Sequence, residues 1–141
     1  MDATDMRTGH QVKCKDRVRD FGEVFTKPET VRDMLDLLPP DVFMPEKTFL
    51  EPCCGEGVFL LEILRRKFAK CRCRKDYTAA ISSVYGMDIQ ADNVEICIRN
   101  IIALCEEQFR ITNKERAIIN DHIMQADALK VMKMMAERSE P

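Results

Sequence analysis

Three acidic residues and a pair of glycines carry most of the chemistry legible in this sequence. Glu51, Asp88 and Asp127 each end a short run of strand-forming residues, and Gly55-Glu56-Gly57 follows the first of them. Glycines lack a Cβ, so the backbone at Gly55 and Gly57 can approach a ligand closely. A helix starting there points unpaired N–H groups at the same place. An anionic group is the natural guest. The spacing fits neither the phosphate-cradling Gly-x-x-x-x-Gly-Lys-Ser/Thr loop nor the full Gly-x-Gly-x-x-Gly dinucleotide fingerprint, so a carboxylate suits it better than a pyrophosphate. An acidic residue at the end of a second strand, such as Asp88, accepts from the hydroxyls of a ribose diol. One Asp alone is more often a helix cap, and one Gly-x-Gly a tight connection. Three acidic residues at equivalent strand ends beside a glycine turn make a candidate ligand crevice.

The elements that must position these residues follow from the apolar pattern. Thr48, Phe49 and Leu50 form a strand ended by Pro52, and Val58 to Lys67 continues as a helix. Leu60, Leu61, Leu64 and Phe68 face inward and Glu62, Arg65, Arg66 and Lys67 outward. A second strand runs over Ser83–Met87 and is closed by Asp88. Asp92 or Asn93 caps the next helix, whose apolar positions include Val94, Cys97, Ile98, Ile101, Ile102 and Cys105. A shorter helix around Asn113 to Ile119 leads to a third strand, His122–Gln125, ending at Ala126-Asp127-Ala128. Leu129 to Met135 is a short helix or an untidy tail. Upstream, residues 1–20 read as a flexible polar arm, Pro28 opens a helix through about Leu38, and Pro39, Pro40 and Pro45 force an irregular connection. Alternating strands and helices predict an α/β domain over residues 21–141 with a parallel sheet and right-handed crossovers. Its ligands bind at the carboxyl ends of the strands.

Composition narrows the function classes. The net charge is -2, with 45% hydrophobic and 33% charged residues among 141, which is an ordinary globular balance without the basic excess of a stand-alone DNA binder. No segment approaches the ~18 consecutive apolar residues of a membrane span, and the first residues are no signal peptide. Seven cysteines, an odd number, include the adjacent Cys53 and Cys54, and Cys71 and Cys73 inside a helical pattern. That usage predicts reduced thiols and a cytoplasmic location. Without a Cys-x-x-Cys, and with His10 and His122 far apart, no metal site is expected.

In its motifs and their order the sequence resembles the class I S-adenosylmethionine-dependent methyltransferases, and among them the adenine-specific DNA methyltransferases of restriction-modification systems. Gly22-Glu23-Val24-Phe25-Thr26-Lys27-Pro28 resembles their opening cofactor motif, with Lys27 where a proline is common. Leu50-Glu51-Pro52-Cys53-Cys54-Gly55-Glu56-Gly57-Val58-Phe59-Leu60 is similar to Asp/Glu-Pro-Ala-Cys-Gly-x-Gly-x-Phe-Leu, with Cys53 in place of the usual alanine. Tyr85-Gly86-Met87-Asp88-Ile89 and Gln125-Ala126-Asp127-Ala128-Leu129 match the next two. The resemblance implies a Rossmann-like open sheet, S-adenosyl-L-methionine as cofactor and DNA as partner. It also implies a set of roles. Thr26 and backbone N–H groups from Cys53 to Gly55, in the turn closed by Gly57, hold the methionine carboxylate, and Glu51 faces the ammonium. Asp88 takes the ribose hydroxyls, Ile89 packs on the adenine, and Asp127, with Ala128 beside it, accepts from the adenine amino group.

One motif is missing. The family's Asn/Asp-Pro-Pro-Tyr/Phe, which holds the target amine and stacks on the flipped base, occurs nowhere here. The one Pro-Pro is Pro39-Pro40, followed by Asp41. No catalytic residue is therefore assigned. The expectation is an incomplete domain of about three strands, the cofactor-binding part of a DNA adenine methyltransferase, inactive by itself and meeting DNA through regions absent from this chain. Alternatives are an inert S-adenosylmethionine-binding accessory subunit, or a methyltransferase acting on RNA, protein or a small molecule. In the class I arrangement a fourth strand would flank the first. Its absence predicts an exposed sheet edge open to a partner subunit or to self-association.

Overall fold

A computed structural model describes residues 3–5, 10–12 and 26–139. The chain divides into two compact units, Met1–Leu38 and Pro39–Pro141.

In the first unit, strands β1 (Ala3–Asp5) and β2 (His10–Val12) pair antiparallel, Ala3 opposite Val12 and Asp5 opposite His10. They lie within the stretch expected to be an arm, whose other residues fall outside those described. Residues 22–25 of the opening motif also fall outside them. Helix α1 (Pro28–Leu35) starts with proline in its first turn, where the missing N–H costs nothing, and buries Val31 and Leu35. It ends three residues earlier than its apolar stripe suggests. Leu38 precedes Pro39, and a residue before proline is pushed out of the helical region.

The second unit begins with a 3-10 turn, Pro40–Phe43, then runs β3 (Phe49–Glu51), α2 (Val58–Phe68), α3 (Arg74–Ser82), β4 (Val84–Asp88), α4 (Ala91–Gln108), α5 (Asn113–His122), β5 (Ile123–Gln125) and α6 (Ala128–Ser139). The sheet is three-stranded, in the order β3-β4-β5, and parallel throughout. Each crossover passes through helices, as parallel pairing requires. Glu51 lies level with Gly86, and Asp88 with Gln125. This is an α/β fold with an open, Rossmann-like sheet. Its core joins Leu60, Ile63, Leu64 and Phe68 of α2 to Ile81, Val84 and Met87, and to Cys97, Ile101, Leu104 and Cys105 of α4. Cysteine acts here as a small hydrophobe.

Several local expectations change. Lys67, expected to face outward, is wholly buried, because seven residues after Leu60 it falls on the same helical face. A buried ammonium needs partners, and Lys67 donates to the carbonyls of Met44, Pro45 and Lys47, with the Phe49 ring 5.4 Å away. Burial pulls it down to about 8. Helix α3 has no clear counterpart in the pattern, since Cys71 and Cys73 stand outside it and its buried positions are only Ala80 and Ile81. It is held by tertiary contacts instead. Tyr77 sits 5.2 Å from the Phe68 ring and 4.9 Å from that of Phe109. His122 ends α5, its ring stacked 4.1 Å from Tyr85, so β5 begins one residue later than expected. The uncertain tail is a full helix, α6, yet no residue of it is buried. Met124, Met132, Met134 and Met135 are all exposed in this unit.

Helix α5 opens on a capping box of Thr112 and Glu115. The buried Glu115 carboxylate accepts from the Thr112 N–H at 3.0 Å, from the Thr112 hydroxyl and from Arg74 of α3. Burial alone would raise its proton affinity. The hydrogen bonds from Thr112, its own backbone and Arg74 outweigh that and hold it at about 2. The folded value lies below the ordinary 4.5, so this carboxylate contributes stability above that pH and loses it as pH falls toward about 2. Denaturant unfolding should therefore show Glu115→Gln less stable than the parent near neutrality. The gap should close across that acid window; a gap constant with pH would remove Glu115 from this role.

Candidate functional site

The site is the rim formed where β3, β4 and β5 end. After Glu51 the chain turns through Pro52 to Gly57, with Gly55 at φ +54° and Gly57 at φ +97°, both left-handed and suited to glycine. The turn is fixed at three points. The Cys54 N–H donates to the Met87 carbonyl at 2.8 Å, the Gly57 N–H to the Cys54 carbonyl at 2.9 Å, and Asn100 of α4 to the Glu56 carbonyl at 3.0 Å. Gly57 then serves as N-cap of α2, in a position without a side-chain cap.

The glycines do different work. A Cβ on Gly57 would stand 2.8 Å from the Cys97 sulfur, so this residue exists to let α4 close in. A Cβ on Gly86 of β4 would meet Leu60 at 2.8 Å and Cys54 at 3.1 Å, so the turn lies directly on the central strand. At Gly55 nothing lies within 4 Å, and that face is open.

Asp88 joins the turn to the next helix. Its Oδ2 accepts from the Gly55 N–H at 3.0 Å; its Oδ1 accepts from the Gln90 N–H at 2.8 Å and the Asn93 side-chain amide at 3.3 Å. The Asp88 carbonyl accepts from the Ala126 N–H at 3.0 Å, and the Gln125 side chain donates to the Ile89 carbonyl at 3.1 Å, which bind the β4 and β5 ends together. Asp127 caps α6, its Oδ1 accepting from the Leu129 N–H at 3.1 Å. Glu51 accepts from the Cys53 N–H at 3.2 Å.

All three carboxylates act on the Cys53 thiol. The Cys53 thiol is pushed up by partial burial and then by Glu51, Asp88 and Asp127 in turn. Burial raises Glu51, and the Cys53 N–H offsets part of that. The Cys54 thiol, hydrogen-bonded with Cys97 and shielded from water, is raised far enough to stay protonated. Cys54 and Cys97 are therefore packing groups. Ile89 is 44% exposed beside Asp88 and offers an apolar shelf at the rim.

The structure thus brings Glu51, Cys53, Gly55, Asp88, Ile89, Asp127 and Ala128 to one rim, with Gly57 behind it. Thr26 stands in the first unit, directly before the Lys27 N-cap of α1. Asn93 and Gln90 were missed as site residues. Asn93 suits a helix cap by residue type, but α4 starts at Ala91 with Gln90 as N-cap, and Asn93 is turned inward onto Asp88. A polar residue on the inner face of a helix, five positions after a strand-end Asp, was the available signal.

A glycine turn after the first strand and a carboxylate ending the second, on a parallel sheet, are the features of a Rossmann-like fold. The chain is 36% identical over 84 residues to the Type II methyltransferase M.VspI of Vibrio sp. (strain 343). The aligned stretch covers 60% of this chain and 17% of that protein, so the chain spans about a sixth of the relative's length. No family model matches the sequence, and no solved structure matches it.

The two turn glycines should respond differently to substitution. Gly55→Ala meets only the left-handed backbone penalty, about 1 kcal/mol, while Gly57→Ala also displaces Cys97 and should cost about 2–3 kcal/mol in denaturant unfolding. Adding Cys97→Ala to Gly57→Ala should recover part of the difference. Equal costs for the two single variants would contradict the packing described.

Proposed function

We propose that this chain is the S-adenosylmethionine-binding part of an adenine-specific DNA methyltransferase. The observation that carries the reading is Asp88, held at the end of the central strand against the open Gly55 turn, with Glu51 and Asp127 on either side. Similarity to a Type II methyltransferase supports it. The donor and acceptor set fits a cofactor that is cationic at one end and nucleoside at the other. Glu51 suits an ammonium and Asp88 suits ribose, while the N–H groups of Cys53, Cys54 and Gly55, expected to hold a carboxylate, already donate to Glu51, Met87 and Asp88. Ile89 suits the face of an adenine, and Asp127, with Oδ1 capping α6, has Oδ2 for its amino group. Bound there, the cofactor supplies an electrophilic methyl. The chain's own task is to orient it for in-line attack by a base amine, which needs positioning more than acid–base catalysis.

The residues that grip the target base are proposed to lie on other segments, because Asn/Asp-Pro-Pro-Tyr/Phe is absent from this sequence. That absence also favours a second reading, an inert cofactor-binding accessory subunit. In the first reading DNA contacts belong to other segments as well. A cytoplasmic setting is part of the same proposal and is supported by the free thiols of the described cysteines. No described helix is long and apolar enough to cross a membrane.

Calorimetry should show S-adenosylhomocysteine binding to the whole chain, and Asp88→Ala should weaken it by about 1.5–3 kcal/mol through loss of a charged acceptor. The same chain should transfer no labelled methyl to duplex DNA. Affinity unchanged in Asp88→Ala would remove Asp88 from the site, and transfer by the isolated chain would overturn the division of labour.

The outer edge of β3 completes the proposal. Among the described strands β3 pairs only with β4, Leu50 is 46% exposed, and Leu129, Met132 and Met135 lie open on α6. Such surfaces invite a further strand and a covering segment, from a partner subunit or a second copy. Light scattering should reveal self-association or marginal stability. A well-behaved monomer that unfolds cooperatively would show the edge already protected.

A further inference from the structure

The net charge of -2 hides an uneven distribution, because residues 65–75 carry seven of the 22 lysines and arginines and no Asp or Glu. Part of that run has a structural use. Arg65 and Arg66 lean back on Glu62 at 3.6 and 3.1 Å, Lys67 is buried on its carbonyls, and all three suit the negative end of the α2 dipole. Lys70, Arg72 and Lys75 have no such task. Each is exposed, and among the described residues none of their side chains makes a hydrogen bond or ion pair. The fold sets a second group beside them. Helix α2 starts at the rim and runs about 16 Å away from it, and α4 starts there and runs about 27 Å, so both end at the opposite end of the sheet. Arg74 ties those two corners together, donating from Nη1 to the Arg110 carbonyl at 2.8 Å and from Nη2 to the Glu115 carboxylate. Arg110 and Lys114, on the second corner, are likewise exposed and without a side-chain partner among the described residues. Few anions oppose them. Asp76 is turned onto the Arg72 N–H at 2.9 Å, Glu115 is buried against Arg74, Glu106 pairs with Arg116 at 3.0 Å, and Glu107 is exposed. The sheet therefore has an acidic rim at one end and a basic surface at the other.

We propose that this far end, with Lys70, Arg72 and Lys75 on one corner and Arg110 and Lys114 on the other, is a contact surface for the phosphate backbone of a nucleic acid. It is a site remote from the rim and does not rest on the cofactor reading. The side chains select the partner. No large apolar residue within 65–82 or 109–119 is exposed. A protein interface needs an apolar or aromatic centre and a membrane surface needs apolar side chains to insert, whereas Lys and Arg suffice to hold phosphates. Such contacts read no sequence. Their strength depends steeply on salt, because each neutralised phosphate releases counterions. The exposed cations exceed Asp76 and Glu107 by about three, so about three phosphates are matched.

The test follows the whole chain binding a labelled DNA duplex of arbitrary sequence, by fluorescence anisotropy over a range of salt. The logarithm of affinity should fall with the logarithm of salt at a slope of about -2 to -4, with the same affinity for a second, unrelated duplex. Lys70→Gln, Arg72→Gln and Lys75→Gln together should weaken binding about tenfold or more at low salt and bring the slope about two to three nearer zero. These side chains are exposed and unpaired, so the thermal transition of the variant should match the parent's. Arg110→Gln with Lys114→Gln, on the other corner, should change affinity and slope in the same direction by less. No binding at low salt, a slope near zero in the parent, or affinity and slope unchanged in both variants overturns the proposal. Tighter binding to polyglutamate of matched charge than to the duplex gives the surface to an acidic protein and overturns it too. Titration with S-adenosylhomocysteine separates the two readings. A chain that binds the duplex as described but not that ligand overturns the cofactor reading and leaves this proposal standing, and the reverse result overturns this proposal alone.

Discussion

The structure turns on the hydrogen bond from the Gly55 N–H to the Asp88 carboxylate. It connects residues 33 positions apart, the turn after β3 and the end of β4, at the place where two strands deliver their loops to one rim. Hydrogen bonds to an ionised acceptor are stronger than neutral ones, and this acceptor also gathers Gln90 and Asn93 at the start of α4. One carboxylate thus ties the turn after β3 to the start of α4. Gly86 makes it possible, because any side chain there would collide with Leu60 and lift the turn off the sheet.

Away from the rim, two charged groups hold the scaffold by the same logic applied in reverse. Lys67 is buried as a cation whose protons are matched by the carbonyls of Met44, Pro45 and Lys47. Those carbonyls belong to a proline-restricted connection without secondary structure of its own, so the lysine supplies the donors that a helix or sheet would otherwise provide. Glu115 is the anionic counterpart, meeting Thr112 and Arg74 where α5 begins. Both are costly groups to desolvate, and both are tolerated because their partners are complete.

The periphery contrasts with this. Helix α6 is anchored by its Asp127 cap and buries none of its side chains, while Leu129 is 81% exposed. The crevice side of the sheet is finished, with each strand end tied to its neighbour. Among the described residues the outer edge of β3 and the apolar side chains of α6 are not covered.

The apolar periodicity of the sequence alone determined the order of the strands and, apart from α3, of the helices between Phe49 and Gln125, and with it the parallel sheet, because each patterned stretch buries one face and must find a partner. It also determined which residues reach the rim, since Glu51, Asp88 and Asp127 follow strand ends whatever the packing. What Lys67 does was decided only in three dimensions. Its charge predicts exposure and its helical position predicts burial, and three carbonyls from a distant loop settled the conflict. Helix α3 was likewise settled by Phe68, Tyr77 and Phe109 coming together, contacts with no local pattern. Asn93 is the sharpest case. Its residue type suits a helix cap, and only the approach of α4 to β4 turned it onto Asp88. A hydrogen bond between side chains on different elements depends on how those elements pack, and packing distance is the quantity that periodicity does not contain.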